Sequence, residues 1–350
     1  MSGSDLLVWQ EGSAGRLRLN RPEALNALTH DMALEIEQAL LDWRGDDSVS
    51  AIIIDAAGDR AFCAGGDIQA LYHTGLKDPE PGRKFWRDEY RLNAYIASYP
   101  KPYVAFMDGI TMGGGVGVSA HGSHRVATEK TVLAMPEVSI GFLPDVGGTW
   151  LLSRAPGETG LYLGMTGSRM NAADAIFAGF ADHYVESGRL EQVAAAIAEG
   201  VHPDAAIAAH AGLAEAGALA DRQEQISDAF GRESALACVE RLEEMAEGGD
   251  EWAVQAVKLI ARNSPRSVAA AFRAIHMART LSSLEDCLAL EYRFAYRALL
   301  PEAEFLEGIR AMVIDKDRAP KWRPATLREV TPDMVDAMLA PLGEKEWTPE

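Results

Sequence analysis

The stretch that decides the fold of this 350-residue chain runs from Gly109 to Gly148 and reads GITMGGGVGVSAHGSHRVATEKTVLAMPEVSIGFLPDVGG. Four glycines cluster near its start, and glycine lets a backbone approach a ligand closely because no Cβ stands in the way. Two of its acidic residues, Glu137 and Asp145, each stand directly after a proline. This combination indicates a functional site; the clustered glycines are Gly113, Gly114, Gly115 and Gly117.

The run after Gly113 consists of small residues and predicts a helix of one or two turns within Gly113–Ala120. The first N–H groups of such a helix have no partner inside it, and they lie at the positive end of the helix dipole. They could hold a carbonyl oxygen that becomes an oxyanion. The two downstream carboxylates could then move protons or attack an acyl carbon.

Length and composition limit the class of protein. A chain of 350 residues is too long for one ordinary core, so we expect two subdomains. The formal net charge of −19 argues against nucleic acid or an anionic membrane as a partner. The three cysteines, Cys63, Cys238 and Cys287, form no CxxC pair. Such a sparse, odd set fits a reducing compartment better than a disulfide framework.

The N-terminal residues carry an acid early and no long apolar or arginine-rich stretch, so we expect no signal or transit peptide. No window reaches about 18 uninterrupted apolar residues, so no transmembrane helix is expected. These features predict a cytoplasmic protein with no membrane or nucleic-acid partner. A homo-oligomer is compatible with the sequence but is not indicated by any pattern.

The region before the glycine cluster predicts alternating strands and helices. Leu6–Gln10 and Arg16–Asn20 flank turn residues and read as a β-hairpin. Thr29 is an expected N-cap, and Val49–Asp55 reads as a buried strand. One face of the helix after Thr29 should be buried, with Met32, Ile36, Leu40 and Trp43 on that face.

Further along, Gly75–Gly82 contains two prolines and two glycines, which predicts a surface loop. Arg83–Ser98 reads as a helix, and Pro100–Met107 and Arg125–Ala134 read as strands. Beyond Gly188 the composition shifts to alanine and charge, which predicts an all-α region. We therefore place an α/β core at residues 1–187 and a helical subdomain at 188–350, with helices expected over 189–199, 204–220, 233–246, 251–262 and 283–297.

A second motif completes the pattern. The run Ala61–Ile68 reads AFCAGGDI, and the two acids lie in MPE and PDVGG. Together with the glycine cluster, these residues resemble the crotonase superfamily, also called enoyl-CoA hydratase/isomerase, and within it the 3-hydroxyisobutyryl-CoA hydrolase branch. The resemblance is strong over Leu17–Val185 and returns over Leu281–Glu329. It implies a crotonase-type spiral of ββα units followed by an all-α C-terminal region.

The resemblance also implies roles for five residues. The N–H groups of Gly66 and Gly114 match the two donors of an oxyanion hole. Glu137 matches the catalytic glutamate of the family, and Asp145 matches the acid of the hydrolase branch, although it could equally be a helix N-cap. Glu89, in RDEYRLN, matches a glutamate that contacts the acyl group; without the resemblance it would read as a solvated surface acid.

Gly117 departs from the hydratases of the family, which carry a second catalytic glutamate at this position. A glycine cannot move a proton, so water addition across a double bond by paired glutamates is disfavoured here.

Coenzyme A would be bound by the LNRPEALNAL segment and the AGGD loop, as the resemblance implies. The acidic chain needs local basic groups near the phosphates of such a ligand. Our candidates are Arg21 and the basic segment of Lys316, Lys321 and Arg323. The remaining positions that match substrate contacts are Ala24, Leu25, Ala64, Asp67 and Ile68.

Other site types fit less well. The glycine run has Val118 where a dinucleotide fingerprint needs its last glycine, and no GxSxG elbow exists for a serine hydrolase. Cys63 lacks a histidine partner in its motif and reads as a small packing residue. His121 and His124 lack a third clustered ligand, so a metal site is not expected.

The resemblance thus implies hydrolysis of a short 3-hydroxyacyl-CoA thioester, most closely 3-hydroxyisobutyryl-CoA, in valine breakdown. Glu137 would attack the carbonyl to give a mixed anhydride or would activate water against it, and both routes stay open. No metal or organic cofactor is expected, since coenzyme A arrives with the substrate. The alternatives are an enoyl-CoA hydratase or isomerase, and a non-catalytic binding protein with the same fold.

Overall fold

The computed structural model describes residues 4–349 of the chain. Over this range strands and helices alternate in the first half and helices dominate the second. The strands are β1 (Leu6–Glu11), β2 (Ala14–Leu19), β3 (Ala51–Ala56), β4 (Ala61–Cys63), β5 (Tyr103–Met107), β6 (Ile110–Met112), β7 (His124–Ala127), β8 (Val132–Ala134) and β9 (His183–Tyr184).

The α-helices range from one turn to five turns in length. They are α1 (His30–Arg44), α2 (Ile68–Gly75), α3 (Glu80–Ala97), α4 (Gly114–Gly117), α5 (Gly148–Arg154), α6 (Thr159–Thr166), α7 (Ala172–Phe177), α8 (Leu190–Ala198), α9 (Pro203–Ala208), α10 (Gln223–Phe230), α11 (Ala235–Glu247), α12 (Glu251–Arg262), α13 (Pro265–Ala278), α14 (Leu284–Ala298), α15 (Phe305–Ile309) and α16 (Pro332–Leu339).

The chain divides into two compact units. The first contains the residues up to Asp67, Asp88–Leu133 and Met170–Ala218, and the second contains Ile68–Arg87, Ala134–Arg169 and the chain from Leu219 onward. This division differs from the predicted boundary between residues 187 and 188.

The first unit is organised around a six-stranded sheet of order β1-β2-β3-β5-β7-β9. Strand β1 is antiparallel to β2, as the predicted hairpin requires, and the following pairs are parallel. A smaller sheet has the order β4-β6-β8. The carboxyl ends of parallel strands meet at one edge of a sheet, which is where loops of α/β proteins build sites.

Both faces of the six-stranded sheet are covered, which explains its continuous apolar strands. Helix α1 packs on one face, and Thr29 caps this helix by accepting a hydrogen bond from the N–H of Met32. Helices α8 and α9 pack on the other face. These two helices belong to the first unit for that reason, whereas the prediction assigns them to a helical subdomain that starts at residue 188.

The second unit is almost entirely helical. The predicted helix over 251–262 is confirmed as α12. The predicted helix over 204–220 is wrong after Ala208, because Ala211 pairs with Val185 and a Cβ at Gly217 would overlap the side chain of Asp174. That segment lies in the first unit.

The predicted surface loop Gly75–Gly82 is also wrong at both ends. Helix α2 extends to a buried Gly75, and α3 begins at Glu80 so that Gly82 is buried within its first turn. Proline is compatible with a helix start because its missing N–H would have no partner there. The predicted strand over 125–134 is two strands, since residues 128–131 form a turn that is closed by Thr128 and Thr131.

Candidate active site

Gly66 and Gly114 lie side by side in the first unit. A Cβ built on Gly114 would lie 3.3 Å from the backbone nitrogen of Gly66. Gly114 is the first residue of α4, and no side chain caps this helix. Among the residues that the structure describes, no hydrogen bond uses the N–H of either glycine. The two donors that the resemblance implies are therefore adjacent.

Glycine is required around this pair by conformation and by space. Gly65 and Gly113 have φ angles of +119° and +48°, which residues with a Cβ rarely adopt. A Cβ on Gly115 would overlap the carbonyl oxygen of Cys63 and lie 2.8 Å from its Cβ. Helix α4 can thus pack against β4 only because Gly115 has no side chain.

Glu89 contributes a carboxylate to the same place. A Cβ on Gly114 would lie 2.7 Å from Oε1 of Glu89, and this side chain is only 2% exposed. Glu89 is therefore not a solvated surface acid. Its position on α3 brings a buried carboxylate next to the two glycine N–H groups.

Ion pairs fix the part of α3 that carries Glu89. The neighbouring Asp88 lies 2.8 Å from Arg91 and 2.7 Å from His30. Arg91 in turn binds both carboxylate oxygens of Glu37 on α1, at 2.6 Å each. A bidentate arginine pair adds orientation as well as energy, so this end of α3 is held on α1.

Cys63 is fully buried beside the glycines, as predicted for a packing residue. Burial is the largest effect on its thiol, the charge of Glu89 acts in the same direction, and the net pKa is raised to about 12. The thiolate is the nucleophilic form of cysteine, so Cys63 cannot serve as a nucleophile near neutral pH.

The two segments implied in coenzyme A binding also meet in the first unit. The N–H of Ala64 donates to the carbonyl of Leu25 at 3.0 Å, and the N–H of Asp67 donates to the carbonyl of Leu28 at 2.9 Å. Leu25 has φ of +52° at the end of a 3₁₀ turn that contains Ala24. The candidate contact residues Ala24, Leu25, Ala64 and Asp67 are all partly exposed.

The guanidinium of Arg21 is already engaged. It lies 3.1 Å from Asp67 and 3.3 Å from Asp5, and it donates to the carbonyl of Ala27 at 2.7 Å. Two carboxylates thus offset its charge, which weakens its case as a phosphate ligand. The last candidate of this group, Ile68, begins α2 in the second unit and is half-buried.

Glu137 lies in the second unit, at the start of a 3₁₀ helix over Glu137–Ile140, and is 6% exposed. Two neighbours hold this short helix. The N–H of Ser264 donates to the carbonyl of Val138 at 2.9 Å. Helix α15 packs so closely that a Cβ on Gly308 would overlap the carbonyl of Ile140. The buried acid therefore sits on a rigid support.

Asp145 is also 6% exposed, but it is not the N-cap that the sequence left open. Gly147 is the N-cap residue of α5, and no side chain of its own caps the helix. The N–H groups of Gly147 and Thr149 instead donate to Glu291 of α14, at 2.8 Å each. The Thr149 hydroxyl donates to the same carboxylate at 2.5 Å.

The buried Glu291 has an unusual ionisation. Burial is the largest effect and raises its pKa, the hydrogen bonds from Thr149 and Gly147 lower it, and the nearby charge of Asp145 raises it, with a net value of about 8. The three hydrogen bonds that its oxygens accept favour the ionised form. Burial and the neighbouring acid outweigh them, so Glu291 keeps its proton at neutral pH.

The sequence reasoning missed Glu291 and Thr149. A signal was present, because the spacing of Leu284, Leu288 and Tyr292 defines the buried face of α14 and Glu291 follows Leu288 by three residues on that face. A glutamate in an apolar stripe predicts a buried, hydrogen-bonded carboxylate. Its partner could not be read from the sequence.

The basic segment around Lys316 is held by its backbone. The N–H groups of Lys321 and Arg323 donate to Glu307 and Glu304, at 2.7 Å and 2.6 Å. The side chains of all three basic residues are exposed. They remain candidates for contact with an anionic group.

Residues 4–349 contain no group of three or more His, Cys, Asp or Glu side chains placed to hold a metal ion. His124 pairs with Asp204 at 2.9 Å and with the Ser123 hydroxyl at 2.8 Å. None of the helices formed by these residues is both long and apolar enough to cross a membrane.

Comparison with known proteins supports the fold. Residues 14–339 match the model of the enoyl-CoA hydratase/isomerase family. The crystal structure of a carnitinyl-CoA dehydratase from Mycobacterium thermoresistibile is 46% identical, covers 99% of each chain and has a TM-score of 0.94. That of an enoyl-CoA hydratase from Rhodobacter sphaeroides is 45% identical, covers 99% of this chain and 100% of the other, and has a TM-score of 0.93. The predicted crotonase-type α/β fold is confirmed.

Among curated relatives, the mitochondrial 3-hydroxyisobutyryl-CoA hydrolase of Gallus gallus is 39% identical. The similarity extends over 99% of this chain and 91% of the relative. The branch of the family that the motifs indicate is therefore supported along almost the full length, including the alanine-rich middle where the motif resemblance is faint.

Proposed function

Because the chain belongs to the enoyl-CoA hydratase/isomerase family, we propose that it is an acyl-CoA thioester hydrolase that cleaves 3-hydroxyisobutyryl-CoA to 3-hydroxyisobutyrate and coenzyme A. The observation that carries the proposal is the near full-length similarity to proteins with that named activity. The adjacent N–H groups of Gly66 and Gly114, with the buried Glu89, are consistent with an acyl-group site.

In this proposal the N–H groups of Gly66 and Gly114 hold the thioester oxygen as it gains negative charge. Preorganised donors of this kind are worth about 10²–10³ in rate each. Glu89 accepts a hydrogen bond from the 3-hydroxyl group of the substrate. Coenzyme A is held by the segment with Arg21, Ala24 and Leu25 and by the loop with Ala64, Asp67 and Ile68.

Glu137 and Asp145 complete the chemistry by one of two routes. In the first, a carboxylate oxygen of Glu137 attacks the carbonyl carbon, the C–S bond breaks, and coenzyme A leaves as a thiolate that takes up a proton. Water then cleaves the mixed anhydride. In the second, Glu137 removes a proton from water as that water attacks the carbonyl directly. Asp145 orients water or carries the proton in either route.

A second candidate function has an observation in its favour. The two solved structures with TM-scores of 0.93 and 0.94 are named as a hydratase and a dehydratase, and they are more similar in sequence than the hydrolase of Gallus gallus. Gly117 counts against this candidate, since the hydratases of the family are expected to carry a glutamate there. Hydrolysis needs one carboxylate at Glu137 and is compatible with glycine at this position.

A two-substrate assay tests the proposal. The protein is incubated with 3-hydroxyisobutyryl-CoA while free thiol is followed, and separately with crotonyl-CoA while the enoyl absorbance is followed. We expect thiol release with a kcat/KM at least 100-fold above that of hydration. Hydration faster than thiol release would reverse the assignment, and tight binding of both substrates without turnover would indicate a non-catalytic protein.

We place the reaction in valine breakdown, the role implied by the resemblance, without a metal or an organic cofactor. The relative from Gallus gallus is named mitochondrial, whereas the N-terminal residues of this chain led to a cytoplasmic prediction. Cell fractionation decides the location, dialysis against a chelator tests metal independence, and light scattering coupled to size exclusion determines whether the chain forms a homo-oligomer.

A further inference from the structure

The segment from Phe142 to Thr149 carries Asp145 and has an unusual backbone. Val146 has φ of +53° and Gly147 has φ of +78°. A β-branched residue in the left-handed region is a conformational outlier that surrounding contacts must hold. Contacts from neighbouring residues must therefore hold this loop in its strained conformation.

Helix α14 supplies such contacts. Glu291 is fully buried, and its Oε2 accepts from the N–H of Gly147 while its Oε1 accepts from both the N–H and the hydroxyl of Thr149. Gly147 directly follows the strained Val146, and Thr149 stands on the other side of Gly148. One carboxylate thus binds the loop on the C-terminal side of Asp145.

The same helix also contacts the loop on the other side of Asp145. The ring of Phe294, one turn after Glu291, packs edge-on against Phe142 with centroids 5.4 Å apart. Phe142 also packs against Phe305 of α15, at 4.7 Å. The loop is therefore held at both ends, by a carboxylate on one side and by aromatic rings on the other.

We propose that Glu291 is a positioning residue for catalysis, which acts by fixing the loop so that the carboxylate of Asp145 points in one direction. The inference rests on the proposed function, because it takes Asp145 to act on water or the proton during thioester hydrolysis. The groups that face Glu291 are Thr149 and Asp145 from the loop and Cys287 from one turn earlier on its own helix.

A structural cap alone would not require a buried acid. Serine, threonine, asparagine and aspartate side chains of the helix itself commonly serve as caps, and Thr29 does so for α1 in this chain. Here the capping carboxyl group comes from a distant helix, and the charge of Asp145 is near enough to raise its pKa. This arrangement fixes the loop that carries Asp145, and it makes Glu291 harder to ionise.

The test compares Glu291→Gln with two other variants. The glutamine keeps the shape of the side chain but places an NH₂ group where one loop donor needs an acceptor. A misplacement of about 1 Å can reduce turnover about 10²-fold. We expect kcat to fall by about 10–100-fold while KM changes by less than threefold.

Thr149→Val removes only the hydroxyl donor and should lower kcat by a smaller factor, again without a change in KM. It also serves as the main test if the glutamine variant does not fold. Leu290→Ala is the matched control, because it removes buried volume from the neighbouring position of α14 and leaves the carboxylate intact. Its kcat per folded molecule should stay within threefold of wild type.

Hydrogen exchange of the peptide that contains residues 145–149 gives a readout that is independent of turnover. In Glu291→Gln this peptide should exchange at least tenfold faster, with the remaining helices protected as in wild type. Faster exchange with kcat within threefold of wild type would overturn the inference, and so would unchanged exchange and unchanged kcat. Absence of thiol release in the wild-type protein would instead refute the proposed function.

Discussion

Glu89 is 2% exposed, and its carboxylate lies next to Gly114 and Gly66 although charged residues surround it in the sequence of α3. In the proposed function this carboxylate contacts the acyl group of the substrate. Two single-residue variants test that placement.

Glu89→Ala should flatten the preference for a hydroxylated acyl group. A hydrogen bond to a charged group contributes about 1.5–3 kcal/mol, which is roughly 10–150-fold in selectivity. We therefore expect the ratio of kcat/KM for 3-hydroxyisobutyryl-CoA over isobutyryl-CoA to fall by that factor, mainly because the hydroxylated substrate becomes slower. An unchanged ratio would show that the hydroxyl is recognised elsewhere.

Gly114→Ala should reduce turnover with little effect on the fold outside the glycine loop. The new Cβ would lie 2.7 Å from Oε1 of Glu89 and 3.3 Å from the nitrogen of Gly66, so the two N–H donors must move apart. We expect kcat to fall by about 10²-fold. Gly45→Ala is the matched control, since its Cβ would have no neighbour within 4 Å; equal activity of the two variants would refute an oxyanion role for Gly114.

At the scale of elements, the short 3₁₀ helix of Glu137 depends on helix α15. Gly308→Ala would place a Cβ against the carbonyl of Ile140, which is backbone and cannot rotate away. We expect a loss of about 1–3 kcal/mol in the free energy of unfolding and a fall in kcat of tenfold or more. Denaturant titration and thiol-release kinetics measure the two effects, and wild-type turnover in this variant would show that the support of Glu137 is not critical.

Local patterns predict the elements that carry their own signals. Helix α1 is predicted because Thr29 caps it and an apolar stripe covers one face, and both features are observed. Helix α13 begins at Pro265 after the cap Ser264, and none of the predicted helices covers this stretch. Proline is common at the first position of a helix, so serine followed by proline and an apolar pattern is the signal that indicates this helix.

The candidate catalytic positions rest on the family resemblance, because the motifs carry it. Their supports could not, because each depends on a contact between distant parts of the chain. Glu291 is 142 residues from Thr149, to which it binds, and no local pattern contains that information. The placement of α8 and α9 has the same cause, since these helices return to cover a sheet made from earlier strands.

At the scale of the whole molecule, Glu291 should make stability depend on pH. Its pKa is raised from 4.5 to about 8 in the folded protein. Between these two pH values the folded protein keeps a proton on Glu291 that the unfolded chain has released. The stabilisation is complete below about pH 4.5 and is lost as pH rises towards 8. The maximum slope is about 1.4 kcal/mol per pH unit.

Glu291→Gln removes this ionisation and provides the comparison. The free energy of unfolding of wild type minus that of the variant should decrease from pH 5 to pH 8 and level off above. Other titrating groups are common to both proteins and cancel in the difference. A difference that is constant over this range would show that Glu291 does not take up a proton on folding.

The central claim is that Glu137 drives the cleavage of a thioester, and Glu137→Gln tests it most directly. The variant is measured for thiol release from 3-hydroxyisobutyryl-CoA and, by calorimetry, for binding of coenzyme A. Loss of general acid–base catalysis reduces the rate about 10²–10⁴-fold, and loss of a nucleophile reduces it further. We predict that thiol release is lost while coenzyme A binds as in wild type; more than a tenth of wild-type turnover would contradict the assignment.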